Sequence, residues 1–204
     1  MNKNYILATI ITLSLAGIYY FSTTTIYIIR HGEKVILEGI SDAPLTDTGK
    51  TQAQTLGAIL SKKYIPSLYV SPMRRARETA GIIALKTHSS MILDERLTEK
   101  NYRKSNTMYD DGNAICVKNL PNGTKETKEQ HLTRLLNFLK DTITPFNKNL
   151  YIVAHGGTIL RLFEKIASDT HQPQEEHKIP YCSVFMFSYN KLTGSLKYLG
   201  NNIL

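Results

Sequence analysis

The sequence predicts an α/β fold, a three-layer α/β/α sandwich around a mostly parallel mixed sheet. Apolar, strand-like runs alternate with helix-like stretches along most of the chain, which is the order that builds a parallel sheet covered by helices. Two of these runs, Ile26–Ile29 and Leu150–Ala154, are apolar at successive positions, as in strands buried on both faces. Both lead into a histidine followed by glycine, so two similar strand ends are expected at one edge of the sheet.

The N-terminal residues differ in character from the rest of the chain. Residues 6–21 carry no charge and follow Lys3. The run is slightly short for a spanning helix, which needs about 20 residues, and a small-x-small cleavage site ends at Ala16. Residues 1–22 are therefore interpreted as a signal peptide or an N-terminal membrane anchor, with 23–204 as the folded domain. Because Lys3 favours an N-terminus held inside, we expect the domain outside the cytoplasm, periplasmic or extracellular.

Composition limits the classes of partner. The 204 residues suffice for one domain with a sizeable core, and the net charge of +8 implies attraction to anionic partners. Zinc-finger spacings and interleaved basic and aromatic residues are both missing from the sequence, so we expect no nucleic-acid partner. The two cysteines, Cys116 and Cys182, leave their pairing open, and the oligomeric state is equally open.

The first half of the domain continues with a helix, a strand and a second helix. Thr46 is a suitable N-cap for a helix that reaches about Lys63. The run Ser67–Ser71 then predicts a strand, and Pro72 is placed to begin the next helix with Ser71 as its cap. Apolar residues at helical spacing extend that helix to Leu85.

The start of this second helix is a candidate anion site. A helix N-terminus carries partial positive charge and free N–H groups, and Arg75 in its first turn adds a guanidinium near the strand end that holds His31. Arg74 and Arg77 are interpreted as surface residues.

The second half contains a short strand, a long polar stretch and two further helices. Met91–Leu93 is a strand candidate, and the polar chain from about Arg103 to about Glu126 is interpreted as a lid or specificity loop, with a simple surface loop as the alternative. Thr127–Gln130 resembles a capping box. The remaining predictions are a buried helix face at Leu132, Leu135, Leu136 and Leu139, a helix at Ile159–Ala167, and a hairpin of strands Ser183–Tyr189 and Ser195–Leu199.

These residues resemble the histidine phosphatase superfamily, in the branch that includes the cofactor-dependent phosphoglycerate mutases. The resemblance covers roughly residues 25–200 and implies a histidine phosphatase domain over 23–204. It rests on an ordered set of motifs: Arg30-His31-Gly32-Glu33, Leu45-Thr46 with Gly49 and Gln52-Ala53, Ser71-Pro72 with Arg75-Ala76 and Thr79-Ala80, Leu97 with Glu99, and His155-Gly156.

The resemblance implies a role for each motif residue. His31 would be the nucleophile that takes the phosphoryl group, since a neutral imidazole with a fixed tautomer can attack phosphorus. Arg30, Arg75 and His155 would bind the phosphoryl oxygens and neutralise their charge. Glu99 would protonate the leaving oxygen and later activate water. No metal and no cofactor are expected.

Two other carboxylates compete with Glu99 for the acid role on the sequence alone. Glu95 is the rival and Asp94 is a more distant third, because both precede Glu99 in the same short segment. The family spacing through Leu97 favours Glu99.

Departures from the mutase pattern favour hydrolysis of phosphomonoesters. The segment from Gly32 to Asp42 is shorter than in mutases and lacks their asparagine, Arg103 replaces a glycine, and the loop before His155 is reduced. A phosphorylated small molecule or a cell-envelope phosphate is the expected substrate, and a membrane tether is possible. The alternatives are phosphoglycerate mutase activity and a non-catalytic phosphate-binding domain.

Overall fold

The computed structural model describes residues 22–36, 42–99, 126–144, 147–173 and 177–201. The elements in chain order are β1 (Thr23–Arg30), α1 (Asp47–Leu60), β2 (Ser67–Val70), α2 (Arg74–Thr87), β3 (Ser90–Leu93), a short 3-10 helix (Glu95–Leu97), α3 (Lys128–Thr142), β4 (Asn149–Ala154), α4 (Gly156–Thr170), β5 (Val184–Asn190) and β6 (Leu196–Asn201). The proposed N-terminal segment up to residue 21, residues 103–125 of the proposed lid and Cys116 lie outside the described residues.

Within the described part of the chain, six strands form one mixed sheet in the order β3-β2-β4-β1-β5-β6. The pairs β2–β3, β2–β4 and β1–β4 are parallel, whereas β5 runs antiparallel to both β1 and β6. The turn between β5 and β6 contains Gly194 at φ +69°, a conformation that glycine adopts without strain. The predicted sheet and its hairpin are confirmed, with strand ends shifted by up to three residues.

Successive side chains of the central strands point to opposite sides of the sheet, and both sides are apolar. Ile26 and Ile28 of β1 pack on one side with apolar residues of α3 and α4, whereas Ile29 packs on the other with residues of α1 and α2. Successive side chains of a strand point to opposite faces, so a continuously apolar run must be covered on both. The three-layer α/β/α arrangement is therefore confirmed.

Two of the predicted helix starts are confirmed by their caps. The Thr46 hydroxyl accepts a hydrogen bond from the Gly49 N–H at 2.9 Å at the start of α1. At the start of α3, Thr127 and Gln130 form a reciprocal capping box. In these helices the residues that stabilise the first turn are close in sequence, which is why the pattern predicts them.

The other two predicted helix starts are wrong. Helix α2 begins at Arg74 after Met73, which has no side-chain cap bond, and the Ser71 hydroxyl lies 2.7 Å from His155 Nε2 while it accepts the Met73 N–H at 3.4 Å. Helix α4 begins at Gly156, three residues before the predicted start at Ile159. Glycine is a poor helix former in the interior of a helix, but the first turn needs no intrahelical N–H bonds.

The burial of several residues in α3 and α2 differs from the prediction. In α3, Leu135 and Leu139 are fully buried, but Leu132 and Leu136 are half-buried, and Phe138 completes the inner face. In α2, Arg74 is exposed as expected. The corresponding interpretation of Arg77 is wrong, since that residue is half-buried.

Among the described residues, no helix combines the length and the apolar character needed to cross a membrane. Cys182 carries a free, half-buried thiol whose pKa is raised by burial to about 12, so it stays protonated at neutral pH.

Candidate active site

Parallel pairing of β1 with β4 brings the two His-Gly strand ends together. Arg30 is in register with Ala154, so His31 and His155 follow at the same edge of the sheet. Their ring centroids are 5.2 Å apart. Strand β2 lies on the other side of β4 and adds the start of α2 to this edge. The predicted meeting of three strand ends is therefore present in the structure.

His31 is held in one tautomer. Its Nδ1 lies 2.7 Å from the carbonyl oxygen of Gly32, which can only accept, so Nδ1 carries the proton and Nε2 the lone pair. The Nε–H of Arg75 donates to this Nε2 at 3.1 Å. Burial, reinforced by the charges of Arg75 and Arg30, lowers the pKa of His31 to about 3. The ring is neutral at pH 7, as a nucleophile must be.

Three residues of the family motifs, Gly32, Gly49 and Thr79, pack together at the turn after His31. The N–H of Gly32 donates to the Thr79 hydroxyl at 2.9 Å, and that hydroxyl donates to the Arg75 carbonyl at 2.7 Å. A Cβ on Gly32 would lie 2.6 Å from the carbonyl oxygen of Gly49. Glycine at position 32 therefore allows the close approach to α1 that fixes the direction of the His31 ring.

Glu99 lies between the start of α4 and Arg75. One carboxylate oxygen, Oε2, is 3.1 Å from Arg75 Nη2, and the other accepts from the N–H of Gly157 at 3.2 Å. Arg75 is almost fully buried, with 4% of its side chain exposed, whereas Glu99 is 33% exposed. Glu99 can therefore contact both the buried guanidinium and a leaving group or water from solvent.

His155 is completely buried and is the N-cap residue of α4. Its Nε2 lies 2.7 Å from the Ser71 hydroxyl, and its Nδ1, which makes no hydrogen bond within the described residues, lies 3.4 Å from Glu99 Oε2. Burial, followed by the charge of Arg75, lowers the pKa of His155 well below its usual value. This imidazole is also neutral, with one nitrogen facing the site.

Arg30 completes the cationic side of the site. Its guanidinium lies 4.0 Å above the ring centre of Tyr181 and donates through Nη1 to the carbonyl of Ile179. Its buried Nε has no partner among the described residues. Tyr181, whose ring is also 5.7 Å from His31, was missed by the sequence reasoning. No local sequence pattern marks Tyr181 as a site residue. It lies at the site because β5, which it precedes, pairs with β1.

The structure separates the three candidate acids by their contacts. Glu99 supplies the carboxylate that contacts Arg75 and His155. Asp94 is engaged by Arg96, whose backbone and side chain both donate to it. Glu95 begins the 3-10 helix and accepts the Thr98 N–H through its backbone carbonyl. Geometry thus favours Glu99, and its role as the acid stays a prediction.

His31, Glu99 and His155 each offer one ligand atom within 4.8 Å of one another, a set that could hold a metal ion. The guanidinium of Arg75 already donates hydrogen bonds to His31 and to Glu99 within this group. A metal cation in the same space would meet the arginine charge at short range. The arrangement is better suited to an anion.

The donors around His31 match the requirements of phosphoryl transfer. The buried Nε–H of Arg30, the buried Nδ1 of His155, the guanidinium of Arg75 and the N-terminus of α4 all lie at this sheet edge. Such groups neutralise the charge on the transferring phosphoryl group and hold it in line with a nucleophile.

Comparison with known proteins agrees with this geometry. The sequence profile of the histidine phosphatase superfamily (branch 1) matches residues 26–202. A Hydrogenobacter thermophilus protein named for phosphoserine phosphatase activity is 32% identical over 150 residues, covering 66% of this chain and 74% of that protein. The uncharacterized phosphatase PhoE of Bacillus subtilis is 28% identical over 167 residues, covering 78% and 86%.

Solved structures share the fold at low sequence identity. Phosphoserine phosphatase of Entamoeba histolytica superimposes with a TM-score of 0.63 at 20% identity, covering 89% of this chain and 98% of that one. YhfR of Bacillus stearothermophilus gives a TM-score of 0.63 at 23% identity, covering 86% and 95%. The chain belongs to branch 1 of the histidine phosphatase superfamily, and it is a phosphatase.

Proposed function

We propose that this chain hydrolyses phosphomonoesters through a phosphohistidine formed on His31. The observation that carries the proposal is the fixed tautomer of His31, with a neutral ring and its Nε2 lone pair directed at Arg75. In this proposal Arg30, Arg75 and His155 bind the phosphoryl oxygens, and Glu99 transfers protons.

The reaction divides into two displacements at phosphorus. In the first, His31 Nε2 forms the N–P bond while the ester P–O bond breaks, and protonated Glu99 gives its proton to the leaving oxygen. In the second, water attacks phosphorus as Glu99 takes a proton from it, the N–P bond breaks, and phosphate departs. Arg75, next to both His31 and Glu99, stabilises the charge of the phosphoryl group in each step.

The proposed substrate is a phosphorylated small molecule. Support comes from relatives that are named for phosphoserine or fructose-2,6-bisphosphate hydrolysis, and from the site itself, where a single phosphoryl group can be surrounded by Arg30, Arg75 and His155. A cell-envelope phosphate is the narrower proposal, motivated by the apolar residues 6–21 and the net charge of +8.

Trapping of the covalent intermediate tests the catalytic proposal. We expect phosphate release from p-nitrophenyl phosphate in the presence of EDTA, and an acid-labile, base-stable phosphoenzyme after millisecond mixing. The control variant His31→Ala should give neither signal. Release of phosphate without a phosphoenzyme dependent on His31 would contradict the mechanism. Interconversion of phosphoglycerates faster than their hydrolysis would favour mutase activity instead.

Export is proposed on sequence grounds, with residues 1–22 as a cleaved signal peptide or a retained anchor and the domain periplasmic or extracellular. Mass spectrometry of the N-terminus of the protein from fractionated cells tests this proposal. A mature chain beginning after Ala16, or an intact chain in the membrane fraction, would agree with it. An intact chain in the cytoplasmic fraction would contradict it.

A further inference from the structure

Arg134 of α3 lies behind the chain segment that leads to Glu99. Its Nη1 donates to two backbone carbonyls of this segment, that of Arg96 at 2.6 Å and that of Thr98 at 2.9 Å. The Arg134 side chain is 11% exposed, so these hydrogen bonds are shielded from water. One guanidinium edge therefore binds the main chain immediately before the proposed general acid.

The opposite edge of the Arg134 guanidinium is held by Glu126. Its Nε and Nη2 donate to the two carboxylate oxygens at 2.6 and 2.8 Å, a bidentate pair with limited rotational freedom. The carboxylate is also largely buried, with 18% of the side chain exposed. Arg134 is thus oriented from one side and can fix the carbonyls on the other.

The carbonyl of Thr98 matters because of peptide geometry. The oxygen of Thr98 and the Cα of Glu99 belong to the same planar peptide unit. A hydrogen bond that fixes the direction of that oxygen therefore restricts where the Glu99 Cα lies. From this Cα the carboxylate must reach both Arg75 Nη2 and the Gly157 N–H.

We infer that Arg134 is a positioning residue that holds Glu99 at the proton-transfer position by binding the carbonyls of Arg96 and Thr98. The inference rests on the acid role of Glu99 in the proposed function. Arg134 itself contacts none of Arg30, His31 or Arg75 through the hydrogen bonds described above. Its charge also contributes to the lowered pKa of His155, an effect shared by all leaving groups, whereas its effect on proton transfer from Glu99 passes through the backbone.

This role predicts a loss that depends on the leaving group. An aryl phosphate with an acidic phenol needs little protonation of its leaving oxygen, whereas an alkyl phosphate needs a well-placed acid. Displacement of an acid by about 1 Å can cost about 100-fold in rate. The ratio kcat/KM reports the first displacement, so it shows this dependence even where hydrolysis of the phosphoenzyme limits kcat.

The test compares Arg134→Gln with Arg161→Gln on 2,4-dinitrophenyl phosphate and on an alkyl phosphate. Arg161 is a matched control, because it lies on the adjacent α4, is 10% exposed and is ion-paired with Glu164. For Arg134→Gln we expect kcat/KM to fall about 10- to 100-fold on the alkyl ester and less than about 3-fold on the dinitrophenyl ester. Arg161→Gln should change both by the same factor.

Equal losses on the two substrates for Arg134→Gln would overturn the inference. If that variant does not fold, Glu126→Gln replaces it, since this change weakens the bidentate pair but leaves the arginine in place. It should show the same selectivity at about 3- to 10-fold, and equal losses there would also overturn the inference.

Glu99→Gln separates this inference from the function on which it rests. A strong leaving-group dependence in Glu99→Gln, without one in the Arg134 variants, would refute positioning by Arg134 alone. A phosphoenzyme that forms in every variant with no leaving-group dependence in Glu99→Gln would refute the acid role itself.

Discussion

The residues at the ends of β1 and β4 are similar in sequence, but they form different parts of one site. Each strand is apolar and leads into a histidine followed by glycine. After β1, the chain turns past α1 and His31 bonds through Nδ1 to the Gly32 carbonyl, leaving Nε2 directed at Arg75. After β4, helix α4 begins at once, and His155 is buried at its N-cap.

The element that follows each strand sets the surroundings of the histidine at the strand end. His31 precedes a turn, directs its Nε2 lone pair at the Arg75 Nε–H and is 3% exposed, whereas His155 is 0% exposed with Nε2 bound to Ser71. A nucleophile needs an accessible lone pair, while a phosphate ligand needs a fixed donor. The two similar motifs therefore suit two different tasks.

Exchange of each histidine for asparagine should separate these tasks most clearly. His31→Asn should lower kcat by at least about 10⁴-fold and abolish the phosphoenzyme, because no side chain replaces its nucleophilic nitrogen. His155→Asn should lower kcat about 100- to 1,000-fold while a phosphoenzyme still forms. Rapid-quench labelling and steady-state kinetics measure both. Loss of the phosphoenzyme in both variants would contradict the assignment of separate tasks to His31 and His155.

The glycines that follow the two histidines should differ in their effect on stability. A Cβ at Gly32 would meet the Gly49 backbone oxygen at 2.6 Å, whereas one at Gly156 would meet Arg30 Nε at an ordinary 3.5 Å. Gly32→Ala should lower the free energy of unfolding by about 2–3 kcal/mol, and Gly156→Ala should change it by less than about 0.5 kcal/mol. Urea denaturation measures both values. Equal losses would mean that both turns are equally crowded.

Removal of the hydroxyl that binds His155 should have a smaller effect. Ser71→Ala leaves the buried Nε2 of His155 without its partner, which should lower the free energy of unfolding by about 1–2 kcal/mol. Ser67→Ala is the control, because Ser67 makes an exposed hydrogen bond to Ser90 at the start of the same strand. That change should cost less than about 0.5 kcal/mol. A similar cost for both serines would argue against a structural role for the Ser71 hydroxyl.

The smallest expected effect is the pH dependence of stability. His31 has a pKa of about 3 in the folded chain and 6.5 as its ordinary value, and the pKa of His155 is lowered in the same direction. Below pH 6.5 the unfolded chain binds protons that the folded chain does not, so stability is full above this pH and falls as the pH decreases.

From pH 7.5 to 6.5 the two histidines together should lower the free energy of unfolding by about 0.7 kcal/mol. Urea denaturation across this range measures the slope, and each of His31→Asn and His155→Asn should remove part of it. A wild-type stability that rises on acidification would contradict the neutral state of both rings.

Local sequence signals predicted the elements whose stabilising groups are neighbours in the chain. The caps of α1 and α3 depend on residues three positions apart, and the apolar runs of β1 and β4 need only burial. At the start of α2 the Ser71 hydroxyl contacts His155, a residue 84 positions away, and accepts the Met73 N–H only at 3.4 Å. A partner so distant in the sequence cannot be predicted from spacing.

The amino-acid order was sufficient for the fold class, for the strand ends that carry His31 and His155, and for the residues that would surround a phosphoryl group. It was insufficient for the tautomer of His31, for the contacts of Glu99 with Arg75 and Gly157, and for the stacking of Tyr181 on Arg30. The fold class depends on hydrophobic periodicity, which each segment carries within itself, and the site residues were predicted from the resemblance of their motifs to the family. The tautomer of His31, the contacts of Glu99 and the position of Tyr181 depend on which strands pair, because pairing brings distant carbonyls, rings and charges to within hydrogen-bond range.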